Sequence, residues 1–480
     1  MTEPLPPQPG IGRDEWVSRK ESLESPSSRL DGALRRIPVP ARFAVAMAAA
    51  ALLPIVGTSD YIVRVGVNTI IYALLALGLN VVVGWAGLLD LGYVAFYGFG
   101  GYAYALLSSS QFDLHWPSLA SVPLVVVASA LLGILIGLPS RRLLGDYLAI
   151  LTLFFAQAFV TLVSNANRIT PPGHEGAVDF TGGPNGIAGI DPLHVGSFAV
   201  TSVRGFFYLS LIVFILIAAA LYSLNNSRTG RAWRSLREDP LAAQLMGMPV
   251  NWLKLAAFAF GAAVAGLTGT IFVALQVGVF PTNFDIALLI TIYAMVILGG
   301  AGSMTGVVLG AIAINVVLEV LRTPDAARWV FYIVVVLALV AWVRPYRVLA
   351  ALFAGTVGVG IVVHVVATHV APAATHGQPP GAGVLSRLTD NWVVFLTEPT
   401  TVGNIAYGIL LLAVAVLTQI HGRWRLVMLA PTLYLAAFVW ENRLVENPSV
   451  ARLIIVGALL VALMNVRPQG LLGTARIEIA

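Results

Sequence analysis

Long apolar runs alternate with short polar segments along most of the chain. A transmembrane helix needs about 20 consecutive apolar residues, with a range of roughly 17–25. Two runs, 93–108 and 285–299, are short enough to be half-spans or tilted breaks. The pattern predicts an all-α polytopic integral membrane protein with roughly ten to fourteen transmembrane helices, some of them glycine-broken or re-entrant. The runs lie at about 41–57, 62–83, 93–108, 118–138, 147–164, 206–224, 254–276, 285–299, 306–321, 328–343, 347–371, 402–420, 424–440 and 452–466.

The segment 78–102 interrupts this pattern with glycines and with polar side chains at membrane depth. Irregular backbone survives inside a bilayer only where protein or a water-filled cavity covers it. We therefore interpret the segment as a break that lines the translocation path. An alternative for its carboxylate is that Asp90 caps a helix beginning near Leu91. The candidate path residues are Asn80, Gly84, Gly87, Asp90 and Tyr93.

A second glycine-rich segment covers residues 299–311. Gly302, Gly306 and Gly310 recur at four-residue spacing. That spacing predicts one bare helical face for close helix packing.

A polar, arginine-rich module at residues 227–247 lies between two apolar runs. Thr229 is placed to cap a short helix over 230–237 that carries Arg231, Arg234 and Arg237 on one face. Asp239 followed by Pro240 predicts the start of a second helix, and Gly247 predicts its end.

Such caps, with a small apolar patch at Ala242, Ala243, Leu245 and Met246, favour a docking site for a soluble partner over an ordinary loop held near lipid by arginines. The candidate coupling residues are Gly230, Arg231, Arg234, Arg237, Glu238, Asp239, Pro240, Ala242, Ala243 and Gly247.

Composition supports a lipid-solvated chain. Hydrophobic residues make up 58% of the 480 residues and charged residues 11%, whereas soluble domains carry about 25% charged residues. The net charge is +5, and the arginines lie mostly at the ends of apolar runs, which indicates topology rather than nucleic-acid binding. Their distribution predicts cytoplasmic N- and C-termini, a cytoplasmic 225–253 loop and an external 165–205 loop.

Several kinds of chemistry are excluded or disfavoured. The chain has no cysteine, so it has no disulfide and no thiolate metal site. Lys20 and Lys254 are its two lysines, and neither lies in a phosphate-binding loop motif, so this chain is not expected to hydrolyse ATP. His364, His369 and His376 do not share a helical face, and we expect no metal site.

Seven motifs in this order resemble the permease subunits of bacterial branched-chain amino-acid ABC importers, the LivM-like group. The motifs are GLNVVVGWAGLLDLGYVAFYGFGGYAYALL at 78–107, GDYLAILTLFFAQAFVTLV at 145–163, TGGPNGI at 181–187, GRAWRSLREDPLAAQLMGMPVNWLKLAAF at 230–258, AGLTGTIF at 265–272, VILGGAGSMTGVVLGA at 296–311 and RPQGLLG at 467–473.

The resemblance divides the chain into four predicted parts. Residues 1–40 form a disordered cytoplasmic tail, and 41–321 form the permease core with its coupling loop at 225–253. Residues 322–439 form an atypical extra transmembrane block, and 440–480 form a last transmembrane helix with the family-type end.

The resemblance implies a transport permease that is not an enzyme, in the bacterial plasma (inner) membrane. Its implied partners are a second related permease subunit, two cytoplasmic ATPase subunits and an extracytoplasmic solute-binding protein. The chain would bind no cofactor of its own, because ATP and Mg would be used by the ATPase subunits.

Two other functions stay open. An amide or urea ABC permease would resemble this chain in the same motifs. An ion-coupled secondary amino-acid transporter would need intramembrane ionisable groups, of which the chain offers little beyond Asp90.

Overall fold

A computed structural model describes the chain over residues 39–56, 59–141, 145–168, 178–195, 198–343, 346–375, 377, 384–397, 399–420, 422–446, 456–458, 460–461 and 470–472. Residues 1–38 of the predicted tail and His376 lie outside these described residues. The chain divides into two compact units, residues 1–63 and 64–480. The first contains helix α1 (Val39–Val56) and the start of α2 (Asp60–Leu79).

The second unit continues α2 and is almost entirely helical. A π-helical turn, Asn80–Trp85, follows α2 directly. The further helices are α3 (Tyr93–Leu107), α4 (Ser118–Gly137), α5 (Asp146–Asn165), α6 (Val203–Asn226), α7 (Arg228–Glu238), α8 (Pro240–Leu245), α9 (Val250–Gln276), α10 (Ile286–Gly299), α11 (Met304–Val320), α12 (Pro324–Trp342), α13 (Tyr346–Val370), α14 (Val384–Thr389), α15 (Pro399–Gln419) and α16 (Arg423–Glu446).

The chain is an all-α polytopic membrane protein, as the apolar pattern predicts. Within the described residues, eight helices are long and apolar enough to cross a membrane, and three shorter apolar helices accompany them. Together these eleven apolar helices lie within the predicted range of ten to fourteen. Of the two short runs, α3 has 15 residues, whereas α10 together with the preceding turn Pro281–Phe284 reaches 19 residues and can cross.

Helix α9 is the most deeply buried of the eight described spanning helices. In its most apolar stretch 72% of the residues are buried, against 22% for α4. It packs along both α3 and α4. Its approach to α3 depends on glycine, because a methyl group added at Gly100 would overlap the backbone of Gly266. Small residues at such crossings let two backbones meet without an intervening side chain.

Short strands tie the turn-rich 181–187 segment to the end of α9. Strand β1 (Ile187–Ala188) pairs antiparallel with β4 (Gly278–Val279), and β2 (His194–Val195) pairs with β3 (Phe198–Ala199). Gly182, Gly183 and Gly186 all adopt positive φ, a backbone conformation that glycine supplies in tight turns.

A buried polar network joins three helices of the C-terminal part. Arg328 on α12 and Glu441 on α16 are both fully buried, and Arg328 Nε lies 2.8 Å from Glu441 Oε2. Arg328 also donates hydrogen bonds of 2.7 Å to Ser386 Oγ and Thr389 Oγ1 on α14, and Tyr332 Oη donates to Glu441. Beside this network, the rings of Phe331 and Trp440 stack with centroids 4.8 Å apart.

We expect Arg328→Ala to destabilise this region strongly. Removing one member of a buried ion pair leaves the other charge uncompensated and costs about 3–5 kcal/mol. The thermal unfolding midpoint of the purified protein in detergent measures the effect. Arg322→Ala is the matched control, because Arg322 pairs with Glu319 at 3.2 Å on the protein surface and such pairs contribute at most about 1 kcal/mol. Equal midpoints for the two variants would contradict the prediction.

Candidate functional site

The arginine-rich module forms the two short helices that its sequence predicts. In α8, Asp239 Oδ1 accepts hydrogen bonds from the backbone N–H groups of Leu241 and Ala242 at 2.8 and 3.0 Å. Pro240 follows at the first helical position, and Gly247 ends the turn with φ +80°. The predicted start of α8 at Asp239–Pro240 and its predicted end at Gly247 are confirmed. The Thr229 cap is wrong: α7 begins at Arg228, and its cap is Ser227, whose Oγ accepts from Gly230 N at 3.3 Å.

One face of the module packs against helix α9 and the π-helical turn. Trp233 and Leu236 are each 1% exposed. Trp233 Nε1 donates to Leu253 O on α9 at 2.8 Å, and its ring stacks on Trp85 with centroids 6.3 Å apart. Sequence reasoning missed both tryptophans, although the spacing of Trp233 and Leu236 on the side away from Arg231 and Arg234 was a usable signal.

The opposite face of the module is exposed and partly apolar. Leu241, Leu245 and Met246 are 66%, 80% and 81% exposed, and Arg231 and Arg234 are also exposed. We call these five residues the docking face. Ala243 differs from the expectation, because it is 4% exposed and packs inside the chain. Its spacing from Ala242 turns it to the inner side of α8, and Gly230 is buried in the same way on α7.

The π-helical turn Asn80–Trp85, from here on called the break, is connected to the module through one turn. This turn, Gly300–Gly302, links α10 to α11, and we call it the hub turn. Gly302 N donates to Asn80 Oδ1 at 2.7 Å, and Trp85 Nε1 donates to Gly302 O at 3.1 Å. Arg237 of α7 donates from Nη1 to Gly84 O and to Ala301 O. The structure therefore brings Asn80, Gly84 and Arg237 together beside the hub turn.

The close helix packing predicted for Gly302, Gly306 and Gly310 is correct in part. Methyl groups at Gly306 and Gly310 would overlap the backbone of α10, which confirms the close packing predicted for them. Gly302 is not on that helical face: it lies in the hub turn before α11, with φ +97°. The turn needs this left-handed conformation, which only glycine adopts without strain.

Asp90 organises the chain between the break and α3. It is fully buried, and its Oδ1 accepts from Gly92 N at 2.9 Å while its carbonyl accepts from Tyr293 Oη at 2.6 Å. Helix α3 then begins at Tyr93, which is also fully buried. The alternative that Asp90 caps a helix beginning near Leu91 is wrong in detail, because the cap residue of α3 is Gly92 and has no side-chain hydrogen bond. Asp90 instead holds the turn that precedes α3. The assignment of Asp90 and Tyr93 to a solute path stays a prediction.

A cavity of about 170 Å³ lies between the break and the module. Its lining includes Gly87, Leu89, Leu236, Arg237 and Lys254. Gly87 adopts φ +70° and faces the Arg237 side chain. The Arg237 side chain therefore borders this cavity and also contacts the backbone of Gly84.

The two described histidines of the 364–376 group, His364 and His369, each lie against a backbone carbonyl. His364 Nδ1 lies 3.2 Å from Val393 O, and His369 Nδ1 lies 2.8 Å from Val365 O. Across the described ranges, no three His, Cys, Asp or Glu side chains are arranged to hold a metal ion.

A polar cluster formed by Asp113, His115 and Asp191 joins the loop after α3 to the 178–195 segment. His115 Nδ1 lies 2.6 Å from Asp191 Oδ2, and its Nε2 lies 3.3 Å from Asp113 Oδ1. Asp191 N donates to Ser108 O at 2.7 Å. Asp113 and His115 both adopt positive φ, at 54° and 42°, a conformation that non-glycine residues keep only when their surroundings enforce it.

We expect this cluster to loosen as pH rises. The hydrogen bond to Asp191 and its charge, with a smaller contribution from Asp113, raise the pKa of His115. Because the pKa in the folded chain exceeds the unfolded value of about 6.5, the stabilisation is complete below about pH 6.5 and is lost as pH rises through the raised value.

Hydrogen exchange of the 108–117 and 190–195 backbone amides measures this effect. We expect faster exchange at about pH 8 than at about pH 6, after correction for intrinsic rates, and no such difference in His115→Gln. A nearby titratable group is His194, whose Nδ1 lies 3.4 Å from Ser118 Oγ, and Tyr104 Oη donates to Asp191 O at 3.2 Å. A pH dependence abolished by His194→Gln and kept by His115→Gln would contradict the assignment.

Comparisons with known proteins assign the core to a family. A family model described as the permease component of branched-chain amino acid transport systems matches residues 61–343, which extends past the predicted core boundary at 321. The domain boundaries themselves stay predictions. No solved structure matches the chain.

The curated relatives carry the same description. The high-affinity branched-chain amino acid transport system permease protein LivM of Salmonella typhimurium is 38% identical over 283 residues, covering 54% of this chain and 63% of the relative. LivM of Escherichia coli gives the same values. BraD of Pseudomonas aeruginosa is 25% identical over 256 residues, covering 51% of this chain and 80% of the relative.

The chain thus spans somewhat under two thirds of the length of both LivM relatives. The family match covers more than half of the 480 residues, and the chain belongs to the family of permease components of branched-chain amino acid transport systems.

Proposed function

We propose that this chain is the membrane-spanning permease subunit of an ATP-binding-cassette importer that moves branched-chain, hydrophobic amino acids across the bacterial plasma membrane. One observation carries the proposal. The arginine-rich module exposes Leu245 and Met246 on one face, while Arg237 on its other side is hydrogen-bonded to the backbone of the broken helix. Such a module connects a soluble partner to the membrane-spanning helices.

The contacts of the module indicate how a movement of the ATPases would reach the membrane-spanning helices. An ATPase bound to the docking face shifts α8 and α7 together, because the backbone N–H of Asp239 donates to Ser235 O at 3.1 Å across their junction. The Trp233–Leu253 hydrogen bond and the Trp85 ring join the inner face of α7 to α9 and to the π-helical turn. Arg237 then transmits the shift to Gly84 and Ala301. Gly84 belongs to the break and Ala301 to the hub turn, so α2, α10 and α11 move together. ATP binding biases a two-state arrangement rather than opening a fixed pore.

The proposal includes the partners that the resemblance implies. These are a second related permease subunit, two cytoplasmic ATPase subunits that use ATP and Mg, and an extracytoplasmic solute-binding protein. It also includes cytoplasmic N- and C-termini, which put the docking face on the same side as the ATPases. The printed names of the relatives, all branched-chain amino acid permeases, support the substrate class.

Reconstitution tests the proposal. The permease is purified with co-expressed ATPases, inserted into proteoliposomes and supplied with the binding protein and radiolabelled leucine. We expect uptake that requires ATP and continues when ion gradients are collapsed. Uptake driven by a proton or sodium gradient without ATP would replace the proposal with an ion-coupled transporter. A binding protein that captures urea or a short amide instead of leucine would change the substrate class.

A further inference from the structure

The last described residues of the chain lie against the hub turn. The final carbonyls of a helix have no donor within it, and α10 ends at Gly299. Leu471 N donates to Leu298 O at 2.8 Å, and Leu472 N donates to Gly299 O at 3.1 Å. We call residues 470–472 the strap.

The strap fits closely at its first residue. Gly470 adopts φ +77°. A methyl group added there would lie 2.6 Å from both Gly300 N and Ile297 O. Glycine is required at this position both by the left-handed backbone and by the absence of space for a side chain.

Three segments that are distant in sequence therefore meet on residues 298–302. The break contributes Asn80 and Trp85, which are bonded to Gly302. The module contributes Arg237, which is bonded to Ala301. The strap occupies Leu298 and Gly299. Any displacement of Arg237 that moves the hub turn must also carry the strap or break its two hydrogen bonds.

We propose that the strap is a positioning element for coupling: it holds the hub turn in the arrangement in which Arg237 can transmit movement from the ATPases. This proposal rests on the proposed function. It gives residues 470–472, which belong to the RPQGLLG motif, a mechanical role at the hub turn.

The first test measures the hub turn itself in the purified permease, without ATPases. Leu471→Pro removes one of the two strap N–H donors, and Leu471→Ala is the matched control that keeps the donor. Hydrogen exchange is followed at residues 78–90 and 298–306. We expect about fivefold faster exchange in Leu471→Pro, the change that follows loss of about one net hydrogen bond, and no change in Leu471→Ala or at residues 393–397. Unchanged exchange at 298–306 would overturn the proposal.

The second test measures coupling in the reconstituted complex. We expect Leu471→Pro to lower the amount of leucine transported per ATP hydrolysed about fivefold, while ATP hydrolysis, complex assembly and the unfolding midpoint stay near wild type. A merely structural role would lower assembly and the midpoint and leave the transport-to-hydrolysis ratio unchanged, which would overturn the positioning role.

The two proposals fail in different ways. If the ATPases do not bind the docking face, the proposed function fails, and the exchange at 298–306 still reports whether the strap holds the hub turn. If the ATPases bind and drive uptake but neither exchange nor the coupling ratio responds to Leu471→Pro, only the strap proposal is lost.

Discussion

Arg237→Ala is expected to reduce ATP-driven uptake at least about tenfold while leaving the permease folded and bound to its ATPases. The guanidinium group bridges Gly84 O in the break and Ala301 O in the hub turn. Hydrogen bonds from a charged donor contribute about 1.5–3 kcal/mol each, so the variant removes the direct link of the module to the break and to the hub turn. Leucine uptake and ATP hydrolysis in proteoliposomes measure the effect.

Arg228→Ala is the matched control for this prediction. Arg228 lies on the same helix, is exposed and is not part of the docking face. Arg237→Lys adds a second comparison, because lysine keeps the charge and replaces the guanidinium nitrogen that donates to both carbonyls with an ammonium group. We expect its uptake to lie between wild type and Arg237→Ala. Uptake reduced equally by Arg228→Ala and Arg237→Ala would show that the charge of the helix matters and the contact of Arg237 does not.

The double variant Leu245→Glu, Met246→Glu is expected to abolish co-purification with the ATPases. Both side chains are about four-fifths exposed in the permease alone, and burying each in a partner stabilises a complex by about 1.5–3 kcal/mol. Replacing both removes that contribution and introduces two charges into an apolar contact, so we expect affinity to fall more than about a hundredfold.

Gln244→Glu is the control for added charge. Gln244 is exposed on the same helix, so this variant adds a carboxylate and keeps both apolar side chains. An affinity measurement on detergent-solubilised subunits distinguishes the variants. Full binding by the double variant would remove the docking face from the proposal. Ala243 is unsuitable for this experiment, because a glutamate there would disturb the interior of the permease.

Local rules account for most of what the sequence predicts correctly. Apolar length predicts the spanning helices. The Asp239–Pro240 start of α8 and its end at Gly247 follow from capping preferences that operate within a few residues. The same rules misplace the start of α7, because Ser227 and Thr229 are both acceptable caps. Only the backbone distinguishes them: Ser227 has the extended conformation that a cap needs, with φ −78° and ψ 176°.

Contacts between distant segments could not be predicted in this way. Arg237 and Gly84 are 153 residues apart, and Gly302 and Asn80 are 222 residues apart. Helical periodicity places Arg237 close to the exposed arginines of α7, yet its side chain donates a hydrogen bond to the backbone of the break. The glycine spacing at 302, 306 and 310 contained no information that the helix would begin only at Met304.

The Arg328–Glu441 pair has a consequence for how the chain is made. The two residues are separated by 113 positions, so the ribosome has released α12 before the counter-ion exists. A lone arginine in an apolar helix is costly within lipid. We therefore expect helix α12 to reach its final depth only after α16 has been synthesised, and nascent chains that stop before Glu441 to be substrates for membrane quality control.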